Sequence, residues 1–223
     1  MWQKVVALIF SACFLGSEAL RRICFSQAVM DLVFLVDGSK SVTPDDFSRV
    51  KSHLLVLVDS FNVTQDRVRI GLAQFSSKVQ VEFHPGSLHD TAKIKVAIQK
   101  IRQRGGQGNT RLISDILLYH RLTEAAASRA GDGVPQVLVL IYSYAFEHIP
   151  STLPQMLSNS GVLLVTASLT GIANDRLDDT VDSAGLEYTE NLMQILCTLA
   201  EKPTLQVYPG TQLNYDGHDY NYF

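Results

Sequence analysis

The segment Asp37-Gly38-Ser39-Lys40-Ser41 places three oxygen-bearing side chains at intervals of two residues. It follows the apolar run DLVFLV, so a loop that leaves a strand could direct one carboxylate and two hydroxyls to a single point. Such ligands suit a hard divalent cation, and Mg²⁺ keeps several waters, so few carboxylates can suffice. The segment therefore predicts a metal site. One alternative stays open, in which Ser39 and Ser41 are turn and helix-start residues whose hydroxyls satisfy free backbone amides.

The elements around this segment alternate between strands and helices. Apolar, β-rich runs predict strands at residues 31–36, 67–75, 79–83, 137–141 and 162–168. Helical spacing predicts helices at residues 43–61, 91–101, 110–118, 153–158 and 191–199. A short Ser-Ser-Lys turn between the second and third strands indicates a hairpin. The order predicts an α/β fold: a doubly wound, mostly parallel sheet with one antiparallel edge strand and helices on both faces.

Three loops of this predicted sheet lie where a ligand would bind. Doubly wound sheets bind ligands beyond the carboxyl ends of their strands, and residues 37–41 lie at such an end. Thr110 begins a predicted helix beside the same edge and could add a hydroxyl. Residues 142–144 follow the strand at 137–141. The ligands of the predicted metal site therefore come from loops that are distant in sequence.

These motifs together resemble the von Willebrand factor type A domain. The similarity rests on DLVFLVDGSKSV, RVRIGLAQFSS, GGQGNTRLISDIL and GVPQVLVLI, covers residues 31–200, and is closest to the A domains of type VI collagen alpha chains. The resemblance implies the α/β fold predicted above. It also implies a metal-ion-dependent adhesion site, where an Asp-x-Ser-x-Ser loop binds Mg²⁺ or Mn²⁺.

The family's metal ligands are only partly matched in this sequence. By the resemblance, Asp37, Ser39 and Ser41 match the first ligand loop and Thr110 the second. In the third loop the family continues Thr-Asp-Gly, whereas this chain continues Tyr-Ser-Tyr, so that Ser143 replaces the expected aspartate. One candidate carboxylate against a divalent charge predicts a degenerate site at which binding of Mg²⁺ or Mn²⁺ is weak or absent.

The two ends of the chain have different compositions from its centre. Lys4 precedes an apolar run at residues 5–14 and the small-x-small pattern Ser17-Glu18-Ala19, which predicts a signal peptide at residues 1–19 and secretion. The alternatives are an N-terminal core helix or a membrane anchor, although the run is shorter than the roughly 20 residues that span a bilayer. Residues 20–30 form a short N-terminal segment, and the Tyr-rich residues 201–223 are expected to be a flexible tail.

Secretion would leave two cysteines and would permit two modifications. Without the predicted signal peptide, Cys24 and Cys197 remain and could close the domain with one disulfide, the alternative being two unpaired, buried thiols. Asn62-Val63-Thr64 is an N-glycosylation sequon that follows a predicted helix, and we expect a glycan on Asn62.

Composition and motifs narrow the class of function. The formal net charge of −3 and the lack of a block of basic residues argue against nucleic-acid binding. The sequence contains no His-x-x-x-His pair, Gly-x-Ser-x-Gly turn or P-loop, and we expect no enzymatic activity.

The resemblance instead implies a secreted extracellular-matrix module that binds matrix proteins, such as collagens or other A domains, and has no membrane span. The sequence has no Gly-X-Y run and cannot form a triple helix itself. Two alternatives remain: a structural assembly element, or a shortened relative of a collagen chain without metal-dependent adhesion.

Overall fold

The computed structural model describes residues 27–108, 129–142, 153–168, 182–185 and 189–201. The strands in these ranges are β1 Met30–Asp37, β2 Val68–Phe75, β3 Val79–Phe83, β4 Gln136–Tyr142, β5 Val162–Ser168 and β6 Asp182–Gly185. They form one sheet in the order β3-β2-β1-β4-β5-β6. Every neighbouring pair is parallel except β2 and β3, which are antiparallel. The predicted mostly parallel sheet with one antiparallel edge strand is therefore confirmed.

The sixth strand was missed by the sequence analysis. β6 consists of Asp-Ser-Ala-Gly and has no apolar or β-branched run, which is the local signal for a strand. It is defined by its parallel pairing with β5, from Val165 opposite Asp182 to Ser168 opposite Gly185. Tertiary pairing thus creates a strand that local propensity does not indicate.

The described helices are α1 Pro44–Ser60, α2 Thr91–Lys100, α3 Leu153–Asn159 and α4 Thr189–Glu201. The predicted helix at 110–118 lies outside the described residues. Side chains of α1, α2 and α4 share one buried cluster with one face of the sheet, whereas Leu153 and Leu157 of α3 pack on the other. Helices on both faces are thereby confirmed.

The start of α1 matches its sequence signals. Thr43 caps the helix, since its Oγ1 accepts a hydrogen bond from the backbone N–H of Asp46 at 3.1 Å, and Pro44 occupies the first turn. This cap fixes the point at which the loop after β1 ends and the helix begins.

The described helices include none with the length and apolarity that crossing a bilayer requires. The predicted signal peptide at 1–19, most of the segment 20–30 and the predicted tail lie outside the described residues, apart from Glu201 at the end of α4. Their predictions therefore stay predictions.

A buried ionic network holds the amino end of the sheet. Asp31, 1% exposed, receives hydrogen bonds on Oδ1 from Nε and Nη2 of Arg129, at 3.0 and 2.7 Å. Its Oδ2 accepts from the backbone N–H of Arg129 at 3.0 Å and from Nε2 of Gln136 at 2.9 Å. Arg129 Nη2 also donates to the carbonyls of Met30 and Arg67. The network therefore connects β1, the start of β4 and the segment before β2.

We expect Asp31→Asn to lower the free energy of unfolding by about 3 to 5 kcal/mol, because it leaves the buried Arg129 guanidinium without its counter-ion. Urea denaturation measures the change. Asp59→Asn is the control: Asp59 pairs with Lys95 at 2.5 Å in a solvent-exposed position, and its loss should cost no more than about 1 kcal/mol. Equal effects of the two substitutions would contradict a special role for the buried network.

Candidate metal site

The predicted ligand loop begins inside β1, because Asp37 is the last residue of that strand. Asp37 is 4% exposed and Ser39 is fully buried, whereas Ser41 is exposed. The backbone N–H of Ser39 donates to Asp37 Oδ1 at 2.9 Å. The hydroxyl oxygens of Ser39 and Ser41 lie 2.5 Å apart and are hydrogen-bonded. The structure therefore brings all three side chains of the Asp-x-Ser-x-Ser pattern into one compact loop.

A second backbone segment, residues 101–108 after α2, is hydrogen-bonded along this loop. The backbone N–H of Gly105 donates to Gly38 O at 2.8 Å, and that of Lys40 donates to Gly106 O at 2.9 Å. Gln103 Nε2 donates to the carbonyls of Ser39 and Val42, at 2.7 and 2.8 Å. These bonds fix the backbone that carries both serine hydroxyls.

The glycine pair in this segment is required by its backbone conformation. Gly105 and Gly106 have φ values of 68° and 84°, in the left-handed region that favours glycine. The sequence analysis uses the Gly-rich stretch 105–108 only as the beginning of the family motif GGQGNTRLISDIL. In the structure it also lets the segment follow the ligand loop closely enough to form hydrogen bonds.

The loop packs against Gln74 of β2, the strand beside β1. A Cβ atom on Gly38 would lie 2.4 Å from Oε1 of Gln74, which is fully buried. The amide nitrogen of Gln74 donates to Glu82 Oε1 at 2.8 Å and to the carbonyl of Arg102 at 3.1 Å. Gln74 thus connects β2, β3 and the segment 101–108 directly beneath the loop.

Gln74 and Gln103 were not singled out by the sequence analysis. Isolated glutamines carry no motif, and nothing in their spacing marks them as neighbours of residues 37–41. Only the sheet order and the path of the segment 101–108 bring them to the loop.

The other predicted metal ligands lie outside the described residues. A Cβ on Gly108, two residues before Thr110 in the sequence, would lie 3.3 Å from Ser39 Oγ and 3.9 Å from Ser41 Oγ. Ser143 follows Tyr142, the last residue of β4, which is buried in the core on the α3 face. The roles assigned to Thr110 and Ser143 stay predictions.

The described donors fit a hard cation. They are two serine hydroxyls that are hydrogen-bonded to each other and the Asp37 carboxylate of the same loop, which is an oxygen set of the kind that Mg²⁺ and Mn²⁺ accept. Thr43 caps α1, and Asp37 accepts from the backbone N–H of Ser39, so neither of these structural bonds uses a hydroxyl of Ser39 or Ser41. The described residues contain no cluster of three or more His, Cys, Asp or Glu side chains. The fit therefore rests on hydroxyls and a single loop carboxylate.

The two modification sites are partly described. Asn62 is exposed directly after α1, and its sequon partner Thr64 accepts a hydrogen bond at Oγ1 from the backbone N–H of Arg67. Cys197 on α4 is 8% exposed and disulfide-bonded. Its predicted partner Cys24 lies outside the described residues, so the pairing itself stays a prediction.

The protein is an α/β domain with an open, mainly parallel sheet. Its Asp-x-Ser-x-Ser loop lies at the carboxyl end of the inner strand β1, the edge at which such sheets bind ligands. The sequence model of the von Willebrand factor type A domain family matches residues 31–201. The chain belongs to this family.

The relatives include matrix proteins much longer than the matched region. The collagen alpha-6(VI) chain of Mus musculus is 30% identical over 181 residues, which are 78% of this chain and 8% of that protein. Matrilin-4 of Mus musculus is 38% identical over 109 residues, covering 48% of this chain and 18% of that protein. The resemblance to type VI collagen chains is thereby confirmed for the domain.

A solved structure shares the fold. Proximal thread matrix protein 1 from the mussel byssus, in a form with a zinc-occupied MIDAS motif, has a TM-score of 0.61 and 24% identity, over 81% of this chain and 48% of that one. The zinc-occupied motif is that protein's own, and the likeness at 24% identity shows the shared fold.

We expect Gly38→Ala to destabilise the fold by about 1 to 3 kcal/mol, because the added methyl meets the buried Gln74 amide at 2.4 Å. Gly131→Ala is the control, since a Cβ at that position has no atom within 4 Å. Thermal unfolding of both variants gives the comparison. A Gly38→Ala protein as stable as Gly131→Ala would show that the loop is not held tightly against β2.

Proposed function

We propose that this protein is a secreted extracellular-matrix module that binds a protein ligand through the loops at the carboxyl end of its sheet. Its adhesion site is degenerate. The observation that carries the proposal is that Asp37, Ser39 and Ser41 share one loop, in which the two hydroxyls are in contact, and that the segment 101–108 holds this loop. Exposed Ser41 places this loop at the protein surface, where a partner can reach it.

Asp37, Ser39 and Ser41 would hold Mg²⁺ or Mn²⁺, with Thr110 adding a hydroxyl and Ser143 standing where the family has an aspartate. When bound, such a cation offers a coordination position to a carboxylate oxygen of a ligand. The protein's own contribution is to orient two hydroxyls and one carboxylate before the cation arrives. With one loop carboxylate to offset the charge, the affinity is weak.

The relatives support a role in the extracellular matrix. Two of them are a type VI collagen chain and a matrilin, which agrees with matrix proteins as partners and with secretion. Collagens and other A domains are the ligands that we propose. The described residues suggest binding rather than catalysis, because the groups of this loop are hydroxyls and a carboxylate at a family adhesion motif.

The second candidate function is an assembly element that docks on other A domains or collagen chains without a metal. The single loop carboxylate of the candidate site favours it, because a divalent cation is neutralised poorly there. A related alternative is that the protein is a shortened relative of a collagen chain without metal-dependent adhesion. This alternative requires no binding partner.

A solid-phase binding assay separates these functions. We expect the purified protein to bind at least one of type VI collagen, a matrilin or a fibrillar collagen, with binding reduced by EDTA and by Asp37→Asn. Asp66→Asn is the control, because Asp66 is exposed just before β2, at the amino end of the sheet and away from the ligand loop. Binding that resists EDTA and Asp37→Asn would support metal-free assembly, and no binding at all would count against both functions.

We further propose that Asn62 carries a glycan and that Cys24 pairs with Cys197. Mass spectrometry of protein from the culture medium should show a mass loss at the Asn62 peptide after glycosidase treatment. It should also show a Cys24–Cys197 peptide pair that separates on reduction. Asn62→Gln is the matched control for the glycan. An unmodified Asn62 peptide or a free thiol at Cys24 would overturn the corresponding assignment.

A further inference from the structure

Three loops meet at the edge that carries the candidate metal site. The loop after β1 is bonded to the segment 101–108 through Lys40 and Gly106, whose N···O distance is 2.9 Å. The stem of Lys40 lies beside Gly105, where a Cβ would be 4.0 Å from Lys40 Cγ. A Cβ on Gly106 would lie 3.0 Å from the hydroxyl of Ser77, in the turn between β2 and β3. Side chains of these loops therefore share one surface.

This surface is cationic although the chain as a whole is not. Its loops carry Lys40, Lys78, Arg102 and Arg104, all of them exposed. Arg104 is ion-paired with Glu82 at 2.6 Å, whereas the other three side chains have no ion-pair partner among the described residues. We call Lys40, Lys78 and Arg102 the basic rim. The formal charge of the whole chain is −3, so the rim reverses the prevailing sign.

The acidic groups near the basic rim do not cancel it. Asp37 is buried, Glu82 is paired with Arg104, and Asp46 is paired with Arg49 at 3.1 Å. Asp45, in the first turn of α1, is exposed and opposes the rim. Among the described residues, the loops of this edge therefore carry three cations without an ion-pair partner, and the adjoining first turn of α1 carries one exposed carboxylate without one.

We propose that the basic rim selects a partner segment that carries several closely spaced carboxylates, rather than a single one. This inference rests on the proposed function, since it names the chemistry of the ligand at the same edge. A cluster of cations attracts an acidic segment, raises its association rate and disfavours basic partners. The hard-oxygen character of the ligand loop adds a preference for carboxylate oxygens. Three cations around one loop fit a short acidic stretch of a protein better than a long polyanion, which needs an extended basic track.

Fluorescence anisotropy with the full-length protein tests the rim. The probe is a labelled octapeptide of alternating glutamate and glycine, and its matched control replaces every glutamate with glutamine. We expect the glutamate peptide to bind more tightly than the glutamine peptide. The triple variant Lys40→Gln, Lys78→Gln, Arg102→Gln should bind the glutamate peptide about tenfold more weakly than the wild type at low salt. Asp45→Asn should strengthen binding by up to a few-fold, because it removes the opposing charge.

Lys93→Gln is the control for the rim, since Lys93 is exposed in the first turn of α2, roughly 10 Å or more along the helix from Arg102. It should leave the affinity unchanged. The proposal is overturned if the triple variant binds like the wild type, if Lys93→Gln weakens binding as much, or if heparin binds the rim more tightly than the peptide does.

EDTA and Asp37→Asn separate this inference from the proposed function. If they abolish peptide binding while the triple variant has no effect, the rim proposal fails and the metal site stands. If the triple variant weakens binding while EDTA and Asp37→Asn do not, the rim stands and metal-dependent adhesion fails.

Discussion

Hydrogen bonds between two backbone segments determine the shape of the candidate site. The loop after β1 and the segment 101–108 exchange backbone bonds through Gly38, Lys40, Gly105 and Gly106, and Gln103 adds two bonds to the loop's carbonyls. Each bond is worth only about 1 kcal/mol, but together they determine the path of a loop without regular secondary structure. The two serine hydroxyls can contact each other because these bonds hold the backbone that carries them.

The strand β1 buries a carboxylate at each end, and the two ends serve different purposes. At the amino end, Asp31 accepts four hydrogen bonds, two of them from the Arg129 guanidinium, and the bond from Gln136 fastens β1 to the start of β4. At the carboxyl end, Asp37 lies in a loop with two hydroxyls and the amide of Ser39. One end therefore stabilises the sheet, and the other presents oxygen ligands close to the surface.

Much of the architecture could be predicted from the sequence because the signals were local. The apolar runs gave five of the described strands, and Thr43 with Pro44 marked the start of α1. β6 could not be predicted in the same way, because Asp-Ser-Ala-Gly becomes a strand only by pairing with β5. The Asp-x-Ser-x-Ser pattern identified the ligand loop for the same reason of locality. Gln74 and Gln103 were missed because their contacts with that loop depend on tertiary structure.

A thermal melt in Mn²⁺, Mg²⁺ or EDTA, with Asp37→Asn beside the wild type, tests the central claim that this loop is a working cation site. A metal at about 100 times its dissociation constant stabilises a fold by roughly 2.7 kcal/mol, which corresponds to several degrees at this size. The account predicts that the wild-type midpoint rises with metal and that the midpoint of Asp37→Asn does not. Equal midpoints for the wild type in EDTA and in millimolar metal would contradict it and would leave the loop a structural turn.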